Sequence, residues 1–281
     1  MPAARRVAVT VATTAAVVAV VIGGWELYRW IWISAGWTWP FVVDDTSMPH
    51  VRTIVQALFQ HPTSGFGDIL IVQLLHAALF TAKEAAVGFA LGASIGFALG
   101  VFMSQWKILQ RGLLPYVVAS QTVPILAVAP IVVVYLGSLH VAAWFSVSVI
   151  AAYLTFFPVA INTLRGLLST DRRAVELMRA IAASRWKILW KLRVPAALPY
   201  IFSALKVSAT ACVVGAIIGE APSSIQEGLG GYIVNFNQYY TLSPQNLWAT
   251  NVIAAALGIG FFLVVVLAEK LVVTRAPEHV A

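Results

Sequence analysis

Residues 169–199 read STDRRAVELMRAIAASRWKILWKLRVPAALP and form the longest polar interruption after residue 70 of an otherwise apolar chain. Together with Arg165 just before it, this stretch contains eight cations but only two acids, Asp171 and Glu176. Long apolar runs lie on both sides. A basic segment between apolar runs is typical of a cytoplasmic loop of a membrane protein. We call residues 169–199 the basic island.

The composition of the whole chain agrees with this interpretation. Of its 281 residues, 60% are hydrophobic and only 10% are charged, whereas a soluble domain carries roughly 25% charged residues. An ordinary soluble fold is therefore excluded, and the net charge of +7 does not indicate nucleic-acid binding. A single cysteine, Cys212, excludes a disulfide framework and a cysteine metal cluster. We expect it to be a small buried hydrophobic residue.

Six apolar runs are each long enough to cross a bilayer, which takes about 20 residues. The first follows Arg5 and Arg6 and resembles a signal peptide, but no small-residue cleavage site follows it. We therefore predict a retained first span. The six predicted spans are approximately residues 7–30, 82–102, 113–136, 141–163, 198–218 and 247–268.

Two short helices are predicted to lie at the membrane interface rather than across it. One follows Pro49, where apolar residues recur at helical spacing, and the other covers approximately residues 71–81. In the second span, glycine recurs at every fourth position, which favours close approach of another helix. These glycines are Gly88, Gly92, Gly96 and Gly100.

The distribution of cations predicts the orientation. With both termini in the cytoplasm, the cytoplasmic side receives 14 of the 18 lysines and arginines, whereas the outer loops are acidic. The cytoplasmic cations are Arg5, Arg6, Lys107, Arg111, Arg165, Arg172, Arg173, Arg179, Arg185, Lys187, Lys191, Arg193, Lys270 and Arg275. We expect Lys83 and Glu84 to form a solvated anchor near the outer interface, and Glu220 to end the fifth span.

The basic island is predicted to contain two short amphipathic helices. Asp171 can cap a helix that begins at Arg172, and Ser184 can cap a second helix, which Pro195 and Pro199 close. Such helices are typical of a docking element at the cytoplasmic surface. The alternative is a solvated basic loop that touches anionic lipid.

The island resembles the EAA loop of bacterial ABC importer permeases. That loop has the pattern Glu-Ala-Ala, three residues, Gly, nine residues, then Ile-x-Leu-Pro. Here Glu176-Leu177-Met178, three residues and Ala182 are followed after nine residues by Leu192-x-Val194-Pro195. Residues 179–208 and 121–137 are similar to the nitrate/sulfonate/taurine group of these permeases, and the resemblance covers approximately residues 74–271.

The resemblance implies an all-α integral membrane protein with a type I ABC importer permease-like fold, six transmembrane helices, N-in and C-in, and a cytoplasmic coupling helix. Residues 1–70 would form an N-terminal helix with an outer segment, residues 71–275 the permease core and residues 276–281 a tail. Ala182 occupies the position of a glycine, so it fits only if its backbone avoids positive φ. The expected ATPase-coupling residues are Arg172, Arg173, Ala174, Val175, Glu176, Met178, Arg179, Ile181 and Ala182.

We expect the translocation path to involve two groups of residues. The first surrounds a proline in the third span, where irregular backbone can line a cavity, and the second lies on the fifth span. The candidate path residues are Gln121, Thr122, Pro124, Ser208, Thr210 and Gly215. For the hydroxyl groups, the alternative is a bond back to their own helix.

The implied function is that of a multi-pass permease subunit of the bacterial inner membrane. Its partners would be cytoplasmic ATP-binding subunits, a second permease copy in a homodimer, an extracytoplasmic substrate-binding protein and membrane lipid. The chain would not be an enzyme and would hold no cofactor or metal, since ATP and Mg²⁺ bind the partner ATPase; it lacks a phosphate-binding loop. The alternatives are a secondary transporter or channel and a membrane enzyme. The solute would be a sulfonate- or nitrate-like anion or a pyrimidine- or flavin-like heterocycle, and the sequence favours the heterocycle.

Overall fold

The computed structural model describes residues 3–39, 41–62, 67–223 and 225–273. Arg275 and the predicted tail lie outside the described residues. Within the described ranges every regular element is helical. The helices are α1 (Ala3–Ser34), α2 (Val51–Leu58), α3 (Leu70–Gln105), α4 (Lys107–Ser120), α5 (Ile125–Ser138), α6 (Ala143–Leu168), α7 (Arg172–Ala180), α8 (Arg185–Ile188), a π-helical turn (Leu189–Arg193), α9 (Val194–Ser223), α10 (Leu229–Gln238) and α11 (Pro244–Val272).

Among the residues that the structure describes, five helical stretches are long and apolar enough to cross a membrane. A sixth crossing is possible if α4 and α5 together form one span, but these helices are bent by 100° at a short break. The predicted six spans are therefore compatible with the structure, although the third is broken rather than a single helix. The five stretches are Ala12–Ser34, Leu70–Gln105, Ala143–Leu168, Arg185–Ser223 and Pro244–Val272.

Helix α3 corrects the sequence prediction of an interfacial helix followed by a separate span. It is one continuous helix of 36 residues. The polar residues Lys83 and Glu84 do not interrupt it. The Lys83 ammonium lies 4.4 Å from the centroid of the Trp144 ring, and the Glu84 side chain is fully buried rather than a solvated anchor.

The four glycines of α3 form the predicted close contact, and their partner is α6. A Cβ atom added at Gly92 would lie 2.5 Å from the Ala152 carbonyl oxygen, and one added at Gly96 would lie 2.4 Å from that of Phe156. Helix α6 also packs along α9. Cys212 is buried in an apolar cluster between these helices, as predicted.

The chain divides into two compact units, one of Met1–Gln73 with Asn235–Asn251 and one of Leu74–Val234 with Val252–Ala281. In the first unit, the predicted helix after Pro49 is present as α2. The buried Arg29 guanidinium donates to the carbonyl oxygens of Asp44 (3.1 Å) and Met48 and to the Asp45 carboxylate (2.6 Å). The Ser47 backbone N–H holds the pKa of Asp44 below its usual value. Arg29 therefore organises this loop.

The second half of the basic island differs from the prediction. The Ser184 hydroxyl accepts a hydrogen bond from the Lys187 N–H at 3.3 Å and caps α8 as expected. However, α8 continues through the π-helical turn into α9, so Pro195 and Pro199 do not close it. Proline lacks an N–H and its ring crowds the preceding turn. The wider π-helical turn lies where Pro195 would otherwise disturb a regular helix.

Candidate functional site

Helix α7 begins as the sequence predicts. The Asp171 carboxylate accepts a hydrogen bond of 2.9 Å from the Arg173 N–H and caps the helix. The Arg172 side chain donates to the Glu176 carboxylate at 2.9 Å, four residues along the same exposed surface. Such pairs add about 0.2–0.5 kcal/mol to a helix. The cap and the ion pair therefore stabilise a nine-residue helix that is too short to be stable alone.

The end of α7 is a Schellman motif, and Ala182 occupies its left-handed position. The Ala183 N–H donates to the Met178 carbonyl at 3.0 Å, and the Ala182 N–H donates to the Arg179 carbonyl at 2.9 Å. Ala182 has φ = 55°. The condition stated for alanine at this position, a backbone without positive φ, is therefore not met. Glycine usually occupies this position because it has no Cβ to crowd the backbone.

The apolar side chains of α7 divide between the protein interior and the exposed surface. Val175 is only 7% exposed and packs within its own chain, whereas Leu177 and Ile181 are 67% and 65% exposed. Ala174 and Met178 are partly buried. Of the apolar residues expected to couple to an ATPase, Ile181 is available at the surface and Val175 is not. Leu177 is an exposed apolar residue that the prediction did not include.

A basic cleft of about 640 Å³ lies between α7 and neighbouring elements of the second unit. Four of the described residues that line it are cationic, and none of them is acidic. The Arg193 Nε atom is buried and has no hydrogen-bond partner among the described residues. Arg179 therefore lines this cleft, while Arg172 and Arg173 are exposed elsewhere on α7. The lining residues are Ser104, Gln105, Lys107, Gln110, Leu168, Val175, Arg179, Ala183, Arg185, Ile188 and Arg193.

The break between α4 and α5 contains the first group of predicted path residues. Gln121 lines a cavity of about 280 Å³ together with two aromatic side chains of α6, Tyr153 and Phe157. The Tyr153 hydroxyl donates to the Ser120 carbonyl, which also accepts a bond of 3.4 Å from the Val123 N–H within the break. The Thr122 hydroxyl bonds back to the Ala119 carbonyl at 2.7 Å. Pro124 caps α5. Gln121 is therefore the member of this group that lines the cavity.

The second group of path residues lies on α9 and has other contacts. The buried Ser208 hydroxyl donates to the Thr155 carbonyl of α6 at 3.3 Å. The exposed Thr210 hydroxyl bonds to its own helix. A Cβ at Gly215 would lie 3.0 Å from the Ala151 Cα. Ser208 and Gly215 thus contribute to packing, and contact of any of the three with a solute stays a prediction.

Residues 90–275 match the sequence model of a family described as "Binding-protein-dependent transport system inner membrane component". The chain belongs to this family. The helical fold is also similar to a solved structure described as an amino acid ABC transporter with histidines, with a TM-score of 0.57 and 16% identity over 71% of this chain and 94% of that one. The predicted fold class is therefore confirmed.

Several transport permeases are relatives of this inner membrane component. The formylaminopyrimidine transport permease protein ThiX of Halalkalibacterium halodurans is 34% identical over 57% of this chain and 64% of its own length. The riboflavin transport system permease protein RibX of Chloroflexus aurantiacus is 36% identical, over 55% and 56% respectively. The match thus covers less than two thirds of either relative. A putative aliphatic sulfonates transport permease of Bacillus subtilis is 30% identical over 70% and 67%.

Sequence reasoning missed three features of this family member. It missed Leu177, because the apolar stripe of α7 was assigned to docking although its centre packs inward. It missed Tyr153 and Phe157, because the spacing of aromatic residues in a span does not show whether they face a cavity or lipid. It also missed the burial of Glu84 and Glu220, whose contacts join distant parts of the chain.

Proposed function

We propose that this chain is the permease subunit of an ATP-driven importer. The observation that carries the proposal is α7, a capped helix between α6 and α9 that presents Leu177 and Ile181 outward. Exposed leucine and isoleucine on a short helix provide a docking surface once a partner covers them. The family, whose components act with binding proteins, supports this assignment.

The partner at this surface is an ATP-binding subunit. Leu177 and Ile181 enter an apolar groove of that subunit, and the exposed Arg172 and Arg173 lie at the rim of the contact. The island joins α6 directly to the continuous α8–α9 helix. A movement of the ATP-binding subunits that displaces α7 is therefore transmitted to two packed spans. ATP hydrolysis occurs on the partner, and this chain contributes no catalytic residue, cofactor or metal.

The complex contains two permease copies and receives its solute from an extracytoplasmic binding protein. A homodimer is the simplest arrangement for one permease chain, and cyclic dimers are the commonest soluble oligomers. The N-in and C-in orientation follows from the distribution of cations, which concentrates positive charge on the basic island. The outer segment around α10 is the candidate contact for the binding protein.

The solute is a small planar heterocycle. The cavity at the α4–α5 break combines the Gln121 amide with the rings of Tyr153 and Phe157, and none of the described residues that line it is cationic. Aromatic faces stack on planar rings, and an amide can hydrogen-bond to ring nitrogens or carbonyls. The relatives named for formylaminopyrimidine and riboflavin support this class. A sulfonate, for which another relative is named, lacks a cationic partner in this cavity.

The experiment is uptake of labelled solutes by cells that express the chain with its ATP-binding subunit and binding protein. Glu176→Lys and Met178→Asp are expected to abolish uptake without loss of membrane insertion, and Ala180→Ser on the exposed surface of the same helix serves as the matched control. Competition among riboflavin, a formylaminopyrimidine and an alkanesulfonate tests the solute class. Normal uptake by both variants would refute the coupling assignment, and uptake without the ATP-binding subunit would favour a secondary transporter.

A further inference from the structure

Two glutamates lie in one buried cluster inside the second structural unit. Glu84 on α3 and Glu220 on α9 are both 0% exposed, and the Thr81 hydroxyl, one helical turn before Glu84 on α3, donates to the Glu220 carboxylate at 2.6 Å. Glu220 lies within α9, which continues to Ser223, so it does not end the fifth span as the sequence predicts. The adjacent Lys83 is directed to the Trp144 ring instead. Neither carboxyl group forms an ion pair among the described residues.

Glu220 accepts hydrogen bonds on both of its oxygens. The Thr81 hydroxyl donates to Oε1 at 2.6 Å, and the Gly230 N–H donates to Oε2. The Leu229 N–H in turn donates to the Thr81 oxygen at 2.9 Å. These three bonds fasten the first residues of α10 to α3 and α9. Because both oxygens of Glu220 accept hydrogen bonds, its ionised form is favoured: charge-assisted hydrogen bonds are stronger than neutral ones.

The turn before α10 is built closely around the Glu220 carboxyl group. A Cβ at Gly228 would lie 2.2 Å from Oε1, and a Cβ at Gly230 would lie 2.3 Å from the Ile217 carbonyl oxygen. Side chains at these positions would displace the backbone from the carboxylate. Glycine at these two positions therefore allows the backbone to approach the Glu220 carboxylate closely enough for the Gly230 N–H to donate to it.

Glu84 completes the cluster. Both of its oxygens are buried and have no hydrogen-bond partner among the residues that the structure describes. Two ionised carboxylates in one buried cluster repel each other and have no hydrogen to share, and an uncompensated buried charge is costly. A proton on Glu84 removes this repulsion and supplies the missing hydrogen, since a protonated carboxyl group can donate to a carboxylate.

We propose that Glu84 and Glu220 bind one shared proton, with Glu84 as the donor and Glu220 as the acceptor. The proton completes the network of Thr81, Leu229 and Gly230, and Glu84 acts as a positioning residue that fixes the start of α10 against the spans. This role is separate from ATPase coupling and from solute passage. It does not depend on the proposed function.

Two isosteric variants of the full chain test the proposal, with the folded, monodisperse yield in detergent as the first measurement. Glu84→Gln is neutral and its amide can donate to Glu220, so the yield should stay within about twofold of the natural protein. In Glu220→Gln an amide NH₂ group replaces one carboxylate oxygen and faces the Thr81 hydroxyl or the Gly230 N–H, which are themselves donors. A buried donor is then left unpaired, so the yield should fall about tenfold. Equal losses in the two variants would overturn the assignment of donor and acceptor.

Infrared spectroscopy of the natural protein provides a readout that does not depend on variant folding. With the glutamate side chains labelled with ¹³C, a label-sensitive carbonyl band of a protonated carboxylic acid is expected at neutral pH and should be absent from Glu84→Gln. Absence of this band from the natural protein would overturn the proposal. Stabilisation by Na⁺ or K⁺ that Glu84→Gln abolishes would also overturn it, because a metal cation would then occupy the proton's place.

Discussion

Replacing Ala182 by glycine should stabilise the end of α7. Ala182 holds φ = 55° at the left-handed position of a Schellman motif with hydrogen bonds of 2.9 and 3.0 Å. A left-handed conformation costs an L-residue other than glycine roughly 1–2 kcal/mol. Glycine removes that cost but loses about 0.4–1 kcal/mol through the greater freedom of the unfolded chain. Ala182→Gly should therefore raise the free energy of local opening at the end of α7 by about 0.5–1 kcal/mol.

The gain can be measured as slower local opening. Hydrogen–deuterium exchange of the peptide covering residues 172–185 in the purified full chain should slow about two- to fivefold in Ala182→Gly. Ala180→Gly is the matched control, because Ala180 is the last residue of the same helix. Glycine there should destabilise the helix by roughly 0.5–1 kcal/mol, so exchange should become faster.

The two substitutions must therefore act in opposite directions. If Ala182→Gly speeds exchange as Ala180→Gly does, Ala182 carries no backbone strain and the reasoning from positive φ fails. The comparison is internal to one helix end, so differences in detergent or preparation affect both variants equally.

Three further perturbations test packing and topology. Gly96→Ala should destabilise the fold by about 1–3 kcal/mol in thermal unfolding, because the added methyl group overpacks against α6. Gly24→Ala should leave the stability unchanged, because no described atom lies within 4 Å of the added Cβ. A cysteine at Ser184 should resist an impermeant thiol reagent in intact cells and react after lysis; labelling in intact cells would refute the orientation. Lys206→Ala breaks a partly buried 3.0 Å ion pair with Glu269 and should lower the free energy of unfolding by about 1 kcal/mol. The Lys206→Ala/Glu269→Ala double variant should lose less than the sum of the two single variants. A loss equal to that sum would contradict the pairing.

Much of the helical framework could be predicted from the sequence, because its signals are local. The fourfold glycine spacing on α3 predicted a close contact, and the contact with α6 confirms it. Asp171 and Ser184 were predicted as helix caps and both accept the expected hydrogen bonds. Apolar length predicted the spans, since a bilayer requires about 20 residues whatever their packing.

The remaining features depend on contacts between distant residues. Thr81 and Glu220 are 139 positions apart, so no local pattern shows that their polar groups meet inside the protein. For the same reason Lys83 and Glu84 were predicted to mark an interface, whereas α3 is continuous through them. The inward packing of Val175 and the cavity beside Gln121 likewise arise from tertiary contacts, which periodicity alone cannot assign to a partner or to the chain itself.

The central claim is that α7 couples this permease to an ATP-binding subunit through its exposed apolar residues. The most direct measurement is the rate of ATP-dependent uptake in proteoliposomes that contain the assembled complex with either the natural chain or Leu177→Asp. We predict uptake that requires ATP and falls at least about tenfold in the variant, since an unpaired charge in a buried apolar contact is strongly unfavourable. Unchanged ATP-driven uptake by Leu177→Asp, or uptake by the natural chain without ATP, would contradict the account.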